Sequence, residues 1–308
     1  MPRASATARG FLAILFWGTS VVAGRLIMGS LGLLRGPLLA TLASGTIGSI
    51  VVLSRRTGRR ALRQLPARYW VVCGGLFVAY LLAYNLGTGL ARDGRQLLVF
   101  NVLNYLWPML TLLFSAAFAR SRLRWWVVPG IAAALAGTAL ALASQSGGPA
   151  EAGPAGGAGV YLLGLFCGVA WGLYSALGRR LAGSSTANPV PLLFLATALG
   201  YTLLSALGAG GAAAGGTLPA PSAAGIAAFL WRVLVVDLVG YGFWDAAMRR
   251  GNQALAAAAS FLTPLLSSAC IAVVLGVSPG WRFWLAALLV VGGAVACRLG
   301  VRDGTGPA

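Results

Sequence analysis

The sequence holds no histidine and no lysine, and only five of its 308 residues are acidic. Without histidine, and with carboxylates this sparse, the chain lacks the usual acid/base pairs, activated nucleophiles and metal ligands of an enzyme. No cofactor and no metal is expected. Cys73, Cys167, Cys270 and Cys297 stand singly inside apolar blocks, with no C-x-x-C spacing. They read as small packing residues, not as a disulfide framework or a zinc site. Charged residues make up only 9% of the chain, against about 25% in soluble domains, which excludes an ordinary soluble globular protein.

What is present is apolar sequence in blocks close to bilayer length, about 20 residues each. Ten such blocks run over 11–28, 37–53, 69–90, 97–119, 125–144, 160–178, 190–208, 226–248, 254–276 and 281–300. Only helices and closed barrels satisfy their backbone groups in hydrocarbon, and the blocks lack the period-2 alternation of barrel strands. The expected fold is all-α, a polytopic membrane protein with ten transmembrane helices. Arg3 and Arg9 give the first block the outline of a signal peptide, but it lacks a convincing small-residue cleavage site, so it is read as a mature helix. All 23 basic residues are arginine. Threading ten helices puts 17 of them on the side of the N-terminus, five on the other side, and Arg232 within a span. The positive-inside rule then places both termini in the cytoplasm.

The two halves resemble each other. Trp17-Gly18, Gly24 and Arg25 recur as Trp171-Gly172, Gly178 and Arg179, at an offset of 154. Tyr84, Arg92, Gly94 and Gln96 recur as Tyr241, Arg249, Gly251 and Gln253, at 157. Pro108, Trp125 and Gly137 recur as Pro264, Trp281 and Gly293, at 156. A near-constant offset argues for duplication of a five-helix unit, residues 1–149 and 150–308. Five is odd, so the second copy enters the membrane from the opposite side and makes an inverted repeat, an arrangement that supports alternating access around a site near the midplane. The Gly/Ala/Pro segment 146–159 is the join, and 208–225 is a similar connection between helices seven and eight. Gly164, Gly168 and Gly172 form consecutive G-x-x-x-G steps, which let helix backbones approach closely.

Polar residues at membrane depth are costly and therefore informative. Asp237 is the only carboxylate at mid-depth. It fits recognition of a substrate amine or a proton, or else a structural pairing with Arg232 or a helix-seven hydroxyl. Tyr241 falls one turn away on the same α-helical face. Tyr80 and Tyr84 share a face of helix three, and Asn101, Tyr105 and Pro108 share one of helix four. Trp17 and Ser20 in helix one, and Trp171, Tyr174 and Ser175 in helix six, fall inside their spans and not at the interfaces where aromatic belts form. The set describes either a pocket of flat rings with a few hydrogen-bonding groups or bulky core filling. Pro108 and Pro264 each free the carbonyl four residues earlier, on Asn104 and Ser260, giving hinges and cation acceptors or static kinks.

These pieces resemble the drug/metabolite transporter superfamily, in its ten-helix EamA-type branch, over essentially the whole chain. The similarity is carried by Phe16-Trp17-Gly18-Thr19-Ser20 and its echo Ala170-Trp171-Gly172, by the proline runs 108–113 and 263–266, and by the glycines of helices five and ten. More narrowly, Asn104-Tyr105-Leu106-Trp107-Pro108 followed by Leu110-Thr111 is similar to the YddG-type exporters of aromatic amino acids. Where many EamA-type chains carry a Glu after helices four and nine, this one reads Arg120-Ser121-Arg122 and Gly276-Val277-Ser278. The resemblance implies export of Phe, Tyr, Trp and related amino acids across the bacterial inner membrane. It also implies a central cavity lined by helices one, three, four, six, eight and nine. Tyr80, Tyr84, Tyr105, Trp107 and Trp171 would hold the ring, together with Trp17 and Tyr241. Asn101, Ser175 and Ser260 would take the polar end, with Asp237 as amine partner. A small-molecule substrate, the lipid bilayer and no nucleic acid are the expected partners, and a monomer is expected. Export of another metabolite or drug is the alternative, and an intramembrane enzyme a more distant one.

Overall fold

Hydrocarbon offers no hydrogen bonds, so an apolar segment must satisfy its own backbone, and here it does so as helix. The structure, a computed structural model, describes residues 3–119, 125–143, 157–183, 185, 187–207, 222–250, 259–260, 262–276 and 278–300. All regular structure among them is helical. The first part of the chain forms α1 (Arg3–Gly18), α2 (Ser20–Leu31), α3 (Arg35–Ser54) and the short basic α4 (Arg56–Arg63). A π-helical turn (Tyr69–Gly74) then runs into α5 (Gly75–Leu90), followed by α6 (Gly94–Asn104), α7 (Trp107–Ala119) and α8 (Val127–Ala143). Next come α9 (Ala158–Ala182), α10 (Val190–Ala206) and α11 (Ala223–Trp231). A second π-helical stretch (Arg232–Gly240) leads into α12 (Tyr241–Arg250), and α13 (Thr263–Val274) and α14 (Trp281–Gly300) complete the described helices.

Among the described residues, five helical stretches are long and apolar enough to cross a membrane: α3, Tyr69–Leu90, Gly94–Phe118, α9 and Ala223–Ala247. The bent pair α1–α2 makes a sixth if it counts as one span. Four shorter apolar helices lie within 127–141, 190–206, 265–274 and 281–293. Ile50, Val71, Leu162, Leu199, Val273 and Leu288 are all more than half exposed. In water such a belt would drive aggregation; in lipid it faces its proper solvent. Arginines 120, 122 and 124, and most of the two Gly/Ala/Pro connections, lie outside the described residues.

Two spans are broken where the sequence supplies a cause. Between α1 and α2 the axis bends by 41° at Thr19. There the Thr19 hydroxyl donates to the Phe16 carbonyl and the Ser20 hydroxyl to that of Trp17, both at 2.7 Å. Such back-bonding competes with the helix ladder and bends it. Between α6 and α7 the break falls at Tyr105–Leu106, and Pro108 follows as the second residue of α7. Proline has no N–H and is tolerated in a first helical turn, so the chain restarts its helix there. Pro264 also falls in the first turn of its helix, α13, though its side chain lies outside the described residues.

Packing is close where glycine permits it. Gly164, Gly168 and Gly172 of α9 press on α6–α7: a Cβ on them would come within 2.9 Å of the Phe100 carbonyl, the Leu103 carbonyl and Leu110 Cβ. A Cβ on Gly18 would meet Leu266 Cβ at 3.0 Å. In the α8–α14 seam a Cβ on Gly137 would lie 2.6 Å from the Ala286 carbonyl, and one on Gly293 2.7 Å from the Ala134 nitrogen. Other extensive pairings are α3 with α10, α5 with α9, and α1 with α12 and α13.

Gly292, next to Gly293, has nothing within 4 Å of its Cβ position. Gly137→Leu and Gly293→Leu should each destabilise the detergent-purified protein by about 1–3 kcal/mol through overpacking. Gly292→Leu should leave its thermal midpoint unchanged. Equal effects of all three would show that the seam is not tight.

Candidate functional site

The broken helices meet at a cavity near the centre of the bundle. Trp17 and Ser20 come from the α1–α2 bend, and Tyr80 and Tyr84 from α5. Asn104, Tyr105 and Trp107 come from the α6–α7 break, and Trp171 from α9. Arg232 and Val236 of the π-helical stretch, Tyr241 of α12 and Thr263 of α13 complete the lining. The cavity is tight: the centre of a water molecule has only about 30 Å³ to occupy in it. Pockets for small organic solutes usually run from about 300 to 1,000 Å³. A solute the size of an amino acid must therefore spread the walls to enter.

Trp171 is the hub of the walls. Its ring lies 4.7 Å from Tyr80, 4.9 Å from Tyr174, 5.8 Å from both Trp17 and Tyr241, and 6.4 Å from Trp107. Tyr80 stacks with Tyr84 at 5.7 Å, as the spacing of four residues on α5 requires. The Ser20 hydroxyl gives its proton to the Trp17 carbonyl, so Tyr84, 3.0 Å away, donates to Ser20. Each tilted or edge-on ring pair adds about 0.5–1.5 kcal/mol beyond area burial, which favours a closed cage.

Several polar atoms in this apolar setting are unpaired. Trp17 Nε1, Asn104 Oδ1 and Thr263 Oγ1 are buried with no hydrogen-bond partner among the described residues. Six further buried polar atoms among the described residues also lack a partner, Ser49 Oγ, Thr88 Oγ1 and Asn101 Oδ1 among them; the three at this cavity are the ones that a solute lying in it could meet. The charge here is Arg232, which is 4% exposed. Its Nε donates to Asp237 Oδ1 at 2.8 Å, and the Ser44 hydroxyl of α3 donates to Asp237 Oδ2 at 3.0 Å. On an α-helix, residues five apart point about 140° away from each other. The π-helix bonds at i→i+5 and brings them to one side. That local winding joins Arg232 to Asp237.

The structure places seven of the sequence-chosen residues on the cavity wall: Trp17, Tyr80, Tyr84, Tyr105, Trp107, Trp171 and Tyr241. Asp237 is not on the wall. Both its oxygens are engaged, Oδ1 by Arg232 and Oδ2 by Ser44. Asn101 is fully buried to one side, its Nδ2 donating to Ser267 at 3.0 Å. Ser260 is fully buried and Ser175 half-buried, and neither lines the cavity. Pro108 is buried just beyond the α6–α7 break. Sequence reasoning passed over Arg232 as a lining group, the Asn104 side chain, Thr263, and the outer rings Phe77 and Trp244. Trp244 lies 5.1 Å from Trp17 and 5.8 Å from Trp107. Its spacing of three from Tyr241 was the available signal. Among the described residues no cluster of His, Cys, Asp or Glu suits a metal ion.

An apolar exterior around a small chamber armed with polar atoms is the build of a multi-pass membrane transporter for a small molecule. Residues 158–298 match the model of the EamA-like transporter family. The aromatic amino acid exporter YddG of Ancylobacter novellus is 36% identical, with 97% of this chain and 99% of that protein covered. The YddG proteins of Salmonella typhimurium and Escherichia coli K12 are each 29% identical, over 98% and 99% of this chain and 99% and 100% of theirs. A crystal structure of a protein 29% identical superposes with a TM-score of 0.67, covering 97% of this chain and 98% of the other. The chain belongs to the EamA-like transporter family.

Trp171→Ala removes the hub and should lower stability by about 3–5 kcal/mol. Trp125→Ala, at a ring 64% exposed, should cost less than about 0.5 kcal/mol. Thermal unfolding in detergent compares them; equal midpoints would contradict a packed cage.

Proposed function

We propose that the protein exports aromatic and other neutral amino acids from the bacterial cytoplasm, by alternating access around the aromatic chamber. The observation that carries this reading is the pairing of stacked rings with unpartnered polar atoms in one cavity. Flat rings suit an aromatic side chain, and the orphan donors and acceptor suit an amino acid's charged ends. The three YddG relatives, named as aromatic amino acid exporters, support the same substrate class.

The alternating-access part rests on the duplication. Residues 1–149 and 150–308 are read as inverted repeats, together making ten crossings of the inner membrane with both termini cytoplasmic. Reciprocal contacts support this. Gly137 packs against Ala286–Val290, and Gly293 against Gly130–Ala134; at the offset of 156, each contact maps onto the other. Gly18 meets Leu266 and Gly172 meets Leu110, likewise exchanged. Contacts that map onto themselves when partners are swapped are the mark of a two-fold axis. Pro108 and Pro264, at matching places, serve as hinges where the walls spread. One chain encloses the whole path, so it works as a monomer.

Counterflow of labelled tryptophan into proteoliposomes loaded with unlabelled tryptophan tests the reading. We expect saturable uptake that phenylalanine inhibits. Tyr80→Ala and Trp107→Ala should each reduce it about tenfold, with Trp125→Ala unchanged. Inhibition by sugar phosphates and not by phenylalanine would overturn the substrate class.

A further inference from the structure

We infer that Arg232 is the group that receives the substrate's α-carboxylate, with Asp237 and Ser44 holding its guanidinium in place from behind. This rests on the amino acid reading above and adds the polarity of binding, which the aromatic lining alone does not give.

A guanidinium carries five N–H groups, one on Nε and four on the terminal nitrogens. Nε is committed to Asp237 Oδ1, and no hydrogen bond from Nη1 or Nη2 to a described residue is recorded. Arg232 lines the chamber and Asp237 does not. Arg232 borders the chamber and also a smaller cavity lined by Gly24, Thr41 and Asn85, with Nη1 3.8 Å from a Cβ placed on Gly24, so a terminal nitrogen left over at the chamber side can serve a solute. Two parallel N–H donors in one plane match the two oxygens of a carboxylate.

Neighbouring groups agree in sign. Trp17 Nε1 is an unpartnered donor at the chamber, and the Thr263 hydroxyl, able to donate or accept, is unpartnered there as well. Trp17 Nε1 would lie 3.3 Å from a Cβ on Gly240, so this donor sits against the π-helical stretch that carries Arg232. The unpartnered acceptor is Asn104 Oδ1, on a different helix. It suits the ammonium group, together with the Asn104 carbonyl that Pro108 leaves without its helical donor. The charge sum agrees as well. Arg232 and Asp237 are jointly neutral, so a zwitterion enters without adding net charge to a low-dielectric site. A phosphate would bring an uncompensated anion and an amine an uncompensated cation. Asp237 is not among the residues that line the chamber, and each of its oxygens already takes one hydrogen bond, from Arg232 and Ser44.

Competition in wild-type counterflow tests this without any variant. The competitors are L-tryptophan, L-tryptophanamide, which keeps the ammonium and loses the carboxylate, and indole-3-lactate, which does the reverse. We expect the amide to compete about tenfold or more weakly than tryptophan, and indole-3-lactate to compete better than the amide. The paired variant Arg232→Gln/Asp237→Asn keeps a neutral hydrogen-bonding pair, avoids a stranded buried charge, and should bring tryptophan and its amide to near-equal competition. Arg232→Lys should keep the preference in weaker form. An amide as good as tryptophan in the wild type, or a paired variant that still rejects it, would overturn the assignment and leave the exporter reading standing. Absence of tryptophan counterflow in the wild type would overturn the exporter reading, and this assignment with it.

Discussion

Within the bilayer core no water waits to bond a stray polar group, so every polar atom at that depth needs a partner from the protein or from the solute. Most of this chain obeys by using helix backbone and by turning hydroxyls back onto carbonyls, as Thr41, Thr111 and Thr197 do. At Trp17, Asn104 and Thr263 the rule is left unmet around a cavity where a solute could supply the missing partner. Arg232 follows the same logic at higher stakes. A buried charge is tolerated because Asp237 neutralises it, and removing one member of such a pair strands the other.

The rest of the architecture serves to place those atoms. The glycines of α9 bring Trp171 against the α6–α7 break, and Gly18 brings the α1–α2 bend against α13. Both breaks turn backbone and side chains towards the chamber at the depth where Trp17, Ser20, Asn104 and Tyr105 are needed. The aromatic cage is contracted around very little free volume, so its walls are self-complementary until a solute replaces some ring–ring contacts with its own. That exchange is a sound basis for a site that must both fill and empty.

Much of this was legible in the sequence, and the reasons are physical. Helical class followed from block length and the scarcity of charge. The wall rings followed from spacing: Tyr80 with Tyr84 at four residues, and Trp17 and Trp171 as echoes of each other. Seven of the chosen residues meet at one cavity because they all stand on regular α-helix or at its breaks. The reading ran out at the π-helical stretch Arg232–Gly240. Pairing with Arg232 was one of the alternatives that the sequence offered for Asp237, and the structure has it; counting by 3.6 residues turns the two apart, and the wider turn is what brings them to one side. Nothing in residues 232–240 signals that winding. The Asn104 side chain was missed for a related reason: it ends α6, where helical periodicity stops. Asn101, by contrast, followed the periodicity correctly but is engaged by Ser267, a partner from a distant helix that spacing cannot reveal.

The most direct test is an experimental structure with L-tryptophan bound. The indole should lie among Tyr80, Trp107 and Trp171 in a widened chamber, with the carboxylate within hydrogen-bonding distance of Arg232 and the Arg232–Asp237 pair intact. An amino acid bound outside the cage, or one lying in it with its ammonium against Asp237 and its carboxylate away from Arg232, would contradict this picture of the site.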